Sequence, residues 1–465
     1  MLYVSTRGQA PALQFEEAVL EGLANDGGLY LPKHCPEISL NEIMKLGGLN
    51  YIDLSFYIMR KFIGSALSDD NLYEVINRSY TNFGVDDFCP TVHISGNEYI
   101  LELFHGPTLA FKDFAMQFIG NLFQFLLRGN KKRLTIVTAT SGDTGSAAVE
   151  AFKGKDQIDL VVLFPDGLIS DVQRKQMTTS RCSNIFPLAV KGDFDECQRM
   201  VKELFNDRKF KDRVNLSAVN SINWARILAQ IVYFFRSALT LESLDGGVNF
   251  SVPTGNFGDI YAGYIAKKMG LPIKRLLIAS NQNNILQRML STGIYDKKDT
   301  MATVAPAMDI QVSSNFERLL LDLLEGNQYD VSKKMSSLTK QGKFQIGDDS
   351  LKRFRESFYS ESGNDDELKR EIAFFYEHFN RLICPHTAAG TLTARRYLCE
   401  DPNTPVITLS TAHPCKFNDT ITSTLGVEAV MPARLKKTIS SDENFERLSN
   451  NTELLKEFIL ARLQL

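Results

Sequence analysis

The sequence predicts an α/β fold of two open, mainly parallel sheets flanked by helices, and three observations carry it. A strand–turn–helix–strand unit occurs twice, over 134–164 and again over 248–279. Each unit has a glycine-rich turn that opens a helix: Ser141-Gly-Asp-Thr-Gly145 in the first and Thr254-Gly-Asn-Phe-Gly-Asp259 in the second. A late apolar strand, Val406-Ile-Thr-Leu409, runs into the polar Ser410-Thr-Ala-His-Pro414. Strands alternating with helices pair in parallel, are covered on both faces, and place ligands at their carboxyl ends.

Taken in order, residues 1–90 read as a mostly helical N-terminal segment. Its helices are expected at Leu13–Leu23, 51–66 and 70–83, with a turn at Asn25-Asp-Gly-Gly28 before the apolar Leu29-Tyr-Leu-Pro32. The rest, 91–465, reads as the catalytic region. A hairpin over His93–Leu103 turns at Gly96-Asn97. Phe114, Phe118 and Phe123 recur at helical spacing, so a helix with a buried face follows Lys112. The first unit then gives a strand at 134–138, a helix at 146–153 and a strand at 160–164. The second gives a strand at 248–252, a helix at 260–269 and a strand at 275–279. A smaller subdomain is expected over about 130–225 and a larger one from the remainder. The polar stretch 325–380, rich in Lys, Glu, Asp and Ser, reads as a peripheral helical insertion.

Composition narrows the function. The 465 residues hold enough material for two to three domains of core, with ordinary hydrophobic (44%) and charged (23%) content. A net charge of −3 gives no electrostatic case for nucleic acid or an anionic membrane. No apolar run approaches the roughly 20 residues of a spanning helix. Seven scattered cysteines, none in C-x-x-C spacing, suit a reduced cytoplasm. Six dispersed histidines without an H-E-x-x-H motif give no reason to expect a protein-bound metal.

The candidate chemistry centres on Lys112, in Phe104-His-Gly-Pro-Thr-Leu-Ala-Phe-Lys-Asp-Phe114. Its apolar neighbours disfavour the ammonium, and a neutral amine can attack a carbonyl. The two glycine-rich turns place free N–H groups and a helix dipole where an anion would sit. Neither is a Walker A loop and neither matches G-x-G-x-x-G. A ligand with a phosphate, an aldehyde for the lysine and a carboxylate-bearing partner uses all three features. Pyridoxal phosphate with an amino acid fits that description.

The same stretches, Phe104–Asp113, Thr140–Gly145, Val252–Asp259 and Ser410–Phe417, together resemble the threonine synthases, in the fold type II family of pyridoxal-phosphate enzymes. So do Ser5-Thr-Arg-Gly8, Asp26–Tyr30, Asn220–Arg226 and Met308–Arg318. The resemblance implies that Lys112 is the Schiff-base lysine and proton shuttle. It implies that Gly255, Asn256, Phe257, Gly258 and Asp259 hold the cofactor phosphate and that Thr411 bonds the pyridine nitrogen. A hydroxyl there leaves the ring a milder electron sink than a carboxylate would. Ser141, Gly142, Asp143 and Thr144 would take the substrate carboxylate, and the anionic Asp143 would then have to be offset or bonded elsewhere. Ser221, Asn223 and Arg226 are candidates for the substrate's phosphate, with Arg the bidentate donor. His105 touches the cofactor or orders its turn, whereas Cys384-Pro-His386 and His413-Pro414 read as structural. The implied reaction converts O-phospho-L-homoserine and water to L-threonine and phosphate, in a cytoplasmic monomer or homodimer. The alternatives are a phospholyase releasing a 2-oxo acid and a non-catalytic ligand-binding protein.

Overall fold

A computed structural model describes residues 1–129 and 133–463. The start of the expected smaller subdomain, 130–132, and the last two residues lie outside the described residues. Two parallel sheets dominate. The larger has six strands in the order Phe358–Ser362, Ile273–Ser280, Val248–Pro253, Val406–Ser410, Glu98–Glu102, Thr91–Ser95. Its neighbours pair in parallel except for the final hairpin. The smaller has five parallel strands: Glu446–Leu448, Ile185–Val190, Ile158–Pro165, Leu134–Ala139, Leu216–Ser217. Ile158–Pro165 is buried along its whole length, as a central strand covered on both faces must be. Both strand–turn–helix units and the late strand appear where expected.

Three expectations change. The stretch 325–380 forms helices Gln328–Gln341, Asp348–Ser357 and Asp365–Phe379, but Phe358–Ser362 between them is an edge strand of the larger sheet. It is therefore not a purely peripheral helical insertion. The smaller sheet is not confined to 130–225, because Glu446–Leu448 joins it and helix Thr452–Leu463 buries Leu455 and Ile459 in its core. The N-terminal segment is helical at Phe15–Glu21, Tyr51–Ile63 and Asp69–Tyr80, yet it also builds a three-stranded antiparallel sheet from Leu2–Ser5, Leu13–Gln14 and Tyr30–Pro32.

Helix Lys112–Leu126 joins the parts. It packs on Asp69–Tyr80, Asp143–Phe152 and Trp224–Ala238, and Phe114, Phe118 and Phe123 are fully buried. Phe114 meets Tyr51, Tyr80, Phe83 and Tyr233 at ring distances of 5.7, 6.0, 4.9 and 5.7 Å. The N-terminal helices thus form one wall of the lysine helix's core, and edge-on aromatic pairs such as Phe114 with Tyr51, Phe83 and Tyr233 add to their burial.

Candidate active site

Lys112 sits where three segments cross. The chain leading to it is stitched to the carboxyl end of strand Val406–Ser410: Leu103 N–H donates to Ser410 O (3.0 Å), Phe111 N–H to Thr411 O (2.8 Å), and His413 N–H to Leu109 O (3.0 Å). Leu109 adopts φ 62°, a left-handed conformation uncommon for a bulky residue, in the turn before the lysine. The buried Asp113 carboxyl holds that turn by accepting Thr108 N–H at 2.7 Å and Thr108 Oγ1 at 2.8 Å. Gly106 is required there, because a Cβ would fall 2.4 Å from that of Asp113. His105 bonds Glu102 at 2.8 Å, and Arg381 pairs with the same carboxylate, so it orders the turn.

The side chain of Lys112 is only 12% exposed, and its Nζ lies 3.6 Å from Asp143 Oδ2. Burial pushes its ammonium below the usual lysine value; Asp143 opposes this, while Lys416 and Arg226 add to it. Asp143 begins helix Asp143–Phe152, so the predicted helix starts three residues earlier and takes Asp143 and Thr144 into its first turn. The Asp143 carboxylate accepts from Lys416 Nζ at 2.8 Å and from Gln173 Nε2 at 3.0 Å. These partners hold it ionised against burial, well below the usual carboxylate range. They are the offset the sequence demanded, and they leave Ser141 and the loop's amides as its means of meeting an anion. Gly142 and Gly145 both donate N–H to Thr140 Oγ1 at 2.9 Å, which sets the loop's shape. Gly142 has φ 138°, and a Cβ on it would strike the Gln173 amide.

The second turn lies between strand Val248–Pro253 and helix Gly258–Lys268. Gly255 O accepts Ser313 Oγ at 2.6 Å, and Asn256 O accepts the backbone and side-chain N–H of Asn315 at 3.0 and 3.1 Å. The loop's carbonyls are thereby tied back. The first N–H groups of a helix have no intrahelical acceptor, so those of the Gly258 helix are open to an anion. A Cβ on Gly255 would stand 2.5 Å from Ala307 O. Phe257, at φ 61°, buries its ring against Phe316 and Phe358, and so supplies backbone to the loop. The Asp259 carboxyl turns beneath the loop to Tyr233 OH, and burial raises its pKa to about 7. Burial thus favours its neutral form, which lessens repulsion of an anion above it.

Among the remaining candidates, Thr411 is buried at the end of the late strand. Arg226 is 3% exposed in the first turn of helix Trp224–Ala238, with a bond to Val219 O at 3.3 Å and its Nε without a partner. Asn223 caps that helix by accepting Ala225 N–H (3.0 Å) and donates to Val19 O (2.8 Å), so its side chain faces the N-terminal segment. Ser221 O accepts Asn315 Nδ2 at 3.1 Å. Asn315 is in turn bonded by the fully buried Arg318, which also donates to Tyr30 O (2.7 Å) and Ile222 O (2.5 Å).

A narrow cleft at Lys112 is lined by Ser141, Asp143, Gln173, Pro306, Ala307, His386 and Phe417. The sequence did not single out Lys416, Gln173 or Phe417, and it read His386 as structural. The one available signal was a lysine inside the apolar Pro414-Cys-Lys-Phe417. Among the described residues no cluster of His, Cys, Asp and Glu could hold a metal, and no helix is long and apolar enough to cross a membrane.

The residues fit pyridoxal phosphate. A glycine cradle that a Cβ would fill opens onto free helix N–H groups, and a desolvated lysine is near enough to act on the charge of Asp259. Comparison with known proteins agrees. Three family profiles match in chain order: threonine synthase N terminus over residues 2–80, pyridoxal-phosphate dependent enzyme over 93–336, and threonine synthase, C-terminal, over 387–459. Threonine synthase of Pseudomonas aeruginosa is 44% identical over 99% of this chain and 98% of its own. The Saccharomyces cerevisiae enzyme is 41% identical over 100% and 99%. The crystal structure of PLP-bound threonine synthase from Brucella melitensis superposes with a TM-score of 0.95, at 44% identity and 99% coverage of both chains. The chain belongs to the threonine synthase family of pyridoxal-phosphate-dependent enzymes.

Proposed function

We infer that the chain converts O-phospho-L-homoserine and water to L-threonine and phosphate, the lyase reaction that closes threonine biosynthesis. The observation that carries this reading is the position of Lys112: largely buried, 3.6 Å from an ionised Asp143 at one helix-opening glycine turn and within electrostatic reach of Asp259 at the other. Bound pyridoxal phosphate supplies an electron sink for charge developing at the substrate's Cα. The amine of Lys112 would hold its aldehyde carbon, the amides of Gly255, Asn256, Phe257, Gly258 and Asp259 its phosphate, and Thr411 its ring nitrogen. Ser141 and the amides of Asp143 and Thr144 would orient the substrate carboxylate, with Gly142, whose N–H is held by Thr140, letting it approach the backbone closely. Asp143 adds the field that, with Lys416, keeps the Lys112 amine placed.

Lys112 takes the Cα proton and then a Cβ proton as phosphate leaves Cγ; a proton is delivered to Cγ, the oxygen of water adds at Cβ, a proton returns to Cα, and the remaining proton of water leaves with the phosphate. Arg226 is the strongest candidate for the leaving phosphate, with Ser221 beside it; Asn223 acts through its backbone and its cap. A narrow cleft keeps reactant, lysine and one water together and excludes others. A cytoplasmic setting accords with seven cysteines that are all free. Sedimentation will read the assembly, expected as a monomer or homodimer.

The deciding experiment is product analysis. Purified protein is expected to show a visible cofactor band that borohydride fixes to Lys112, and to release threonine from O-phospho-L-homoserine. Lys112→Ala should lose both band and turnover. Release of 2-oxobutyrate with ammonia in place of threonine would make the protein a phospholyase, and no turnover at all would leave a binding protein.

A further inference from the structure

We propose that His386 is a substrate-binding residue of this site, presenting an Nδ1–H donor to a carboxylate oxygen of the amino-acid substrate. The inference rests on the function proposed above. His386 is the second residue of helix Pro385–Leu398, whose first turn is pinned by Cys384 Sγ accepting Thr387 N–H at 3.4 Å. Its ring is 4% exposed, lies 4.8 Å from that of Phe417, and lines the cleft with Lys112, Ser141 and Asp143.

The backbone fixes its tautomer. Ala307 N–H donates to Nε2 at 3.1 Å, so Nε2 carries no proton. A neutral imidazole has one donor and one acceptor nitrogen, which puts the proton on Nδ1. Nδ1 is buried and has no partner. Burial holds the ring's pKa near 4, so this arrangement persists at neutral pH. A buried donor left unpaired is unfavourable, and one that belongs to a cleft-lining residue is open to completion by a ligand.

The missing acceptor is not on the protein side of the cleft. The Asp143 carboxylate, the nearest anion, is already taken up by Lys416, Gln173 and Lys112. A substrate carboxylate arriving at Ser141 meets that residual negative charge and needs directed donors. A neutral imidazole of fixed tautomer donates without bringing a charge that would raise or lower the pKa of Lys112. Because Ala307 O adjoins Gly255 and Ala307 N–H bonds the imidazole, one residue both closes the glycine cradle and aims the ring.

The test compares the holoenzyme with His386→Phe and His386→Asn, whose amide can place a donor near the Nδ1 position. Each is titrated with O-phospho-L-homoserine and with 3-aminopropyl phosphate, the same molecule without its carboxylate. His386→Phe is expected to raise KM for the former about tenfold, leave binding of the latter and of the cofactor unchanged, and be largely rescued in His386→Asn. Equal losses for both ligands, or none, would overturn the proposal. Weakened cofactor binding would move the acceptor to the cofactor's own ring oxygen and equally overturn it. Nitrogen NMR of histidine-labelled, cofactor-free full chain should show Nδ1 protonated and Nε2 bare from pH 6 to 8. The reverse tautomer would refute the assignment whether or not the protein makes threonine.

Discussion

Lys416 is the residue on which the electrostatics of the site turn. Its side chain is wholly buried, donates to Thr108 O at 2.9 Å, and neutralises Asp143. Lys416→Met should therefore cost about 3–5 kcal/mol in urea denaturation, the usual penalty for orphaning one partner of a buried pair. Asp143 has a depressed pKa, so the stability it contributes is present above the ordinary carboxylate range and lost as pH falls through its folded value. The variant should lack that contribution, and its Lys112 should titrate at higher pH once a like charge is gone. Glu98 gives the opposite sign. Burial raises its pKa to about 7 and leaves Oε1 unpartnered, so the native state binds the extra proton and loses stability as pH rises from about 4 to 7. Glu98→Gln should be the more stable protein at pH 7.5, by roughly 2 kcal/mol, and the two should converge by about pH 4. Equal denaturation midpoints at both pH values would remove this account. The apolar setting of Lys112 was legible because its neighbours in the sequence are themselves apolar. Lys416, Gln173 and His386 were not, because their partners lie 30 to 308 residues away and only the fold brings them together.

At the scale of elements, the two glycine turns and the late strand were readable because turn, cap and strand signals are local. Phe358–Ser362 was not: its sequence, Phe-Tyr-Ser-Glu-Ser, is half polar, as an edge strand can be, and it sits among charged helices. Glu446–Leu448 escaped for the same reason. What no pattern announces is the strut from the N-terminal segment to the 255–259 loop: Tyr30 O and Ile222 O to Arg318, Arg318 to Asn315, and Asn315 to Asn256 O and Ser221 O. The N-terminal sheet thus supports the loop from behind. Arg318→Met strands several buried acceptors, each worth about 1–3 kcal/mol. It should lower the denaturation midpoint and weaken cofactor binding together. Cofactor affinity unchanged at lowered stability would reduce the strut to packing.

For the whole molecule, the cleft is shared. Ser141, Asp143 and Gln173 come from the smaller sheet's side, and Ala307, His386 and Phe417 from the larger. A substrate held by the Ser141–Thr144 turn on one side and joined to a cofactor held by the Gly255–Asp259 loop on the other should draw the two sides together. Small-angle scattering with an unreactive phosphonate analogue should show a smaller radius of gyration than the holoenzyme alone, and superimposable curves would count against closure.

The stitching of the Lys112 turn to the strand after Val406 also sets a timetable for synthesis. The two halves of that seam are about 300 residues apart. At ordinary elongation rates, the lysine waits roughly 15–60 s on a growing chain before Thr411 and Lys416 are made. Until then the nascent chain has its amine but neither the peptide that seats it nor the ammonium that charges its neighbour. A chain cut short before residue 406 can fold its smaller sheet only without the Glu446–Leu448 strand, and cannot assemble the lysine's pocket. If Lys112 holds the cofactor as proposed, its capture should await a chain translated nearly to completion.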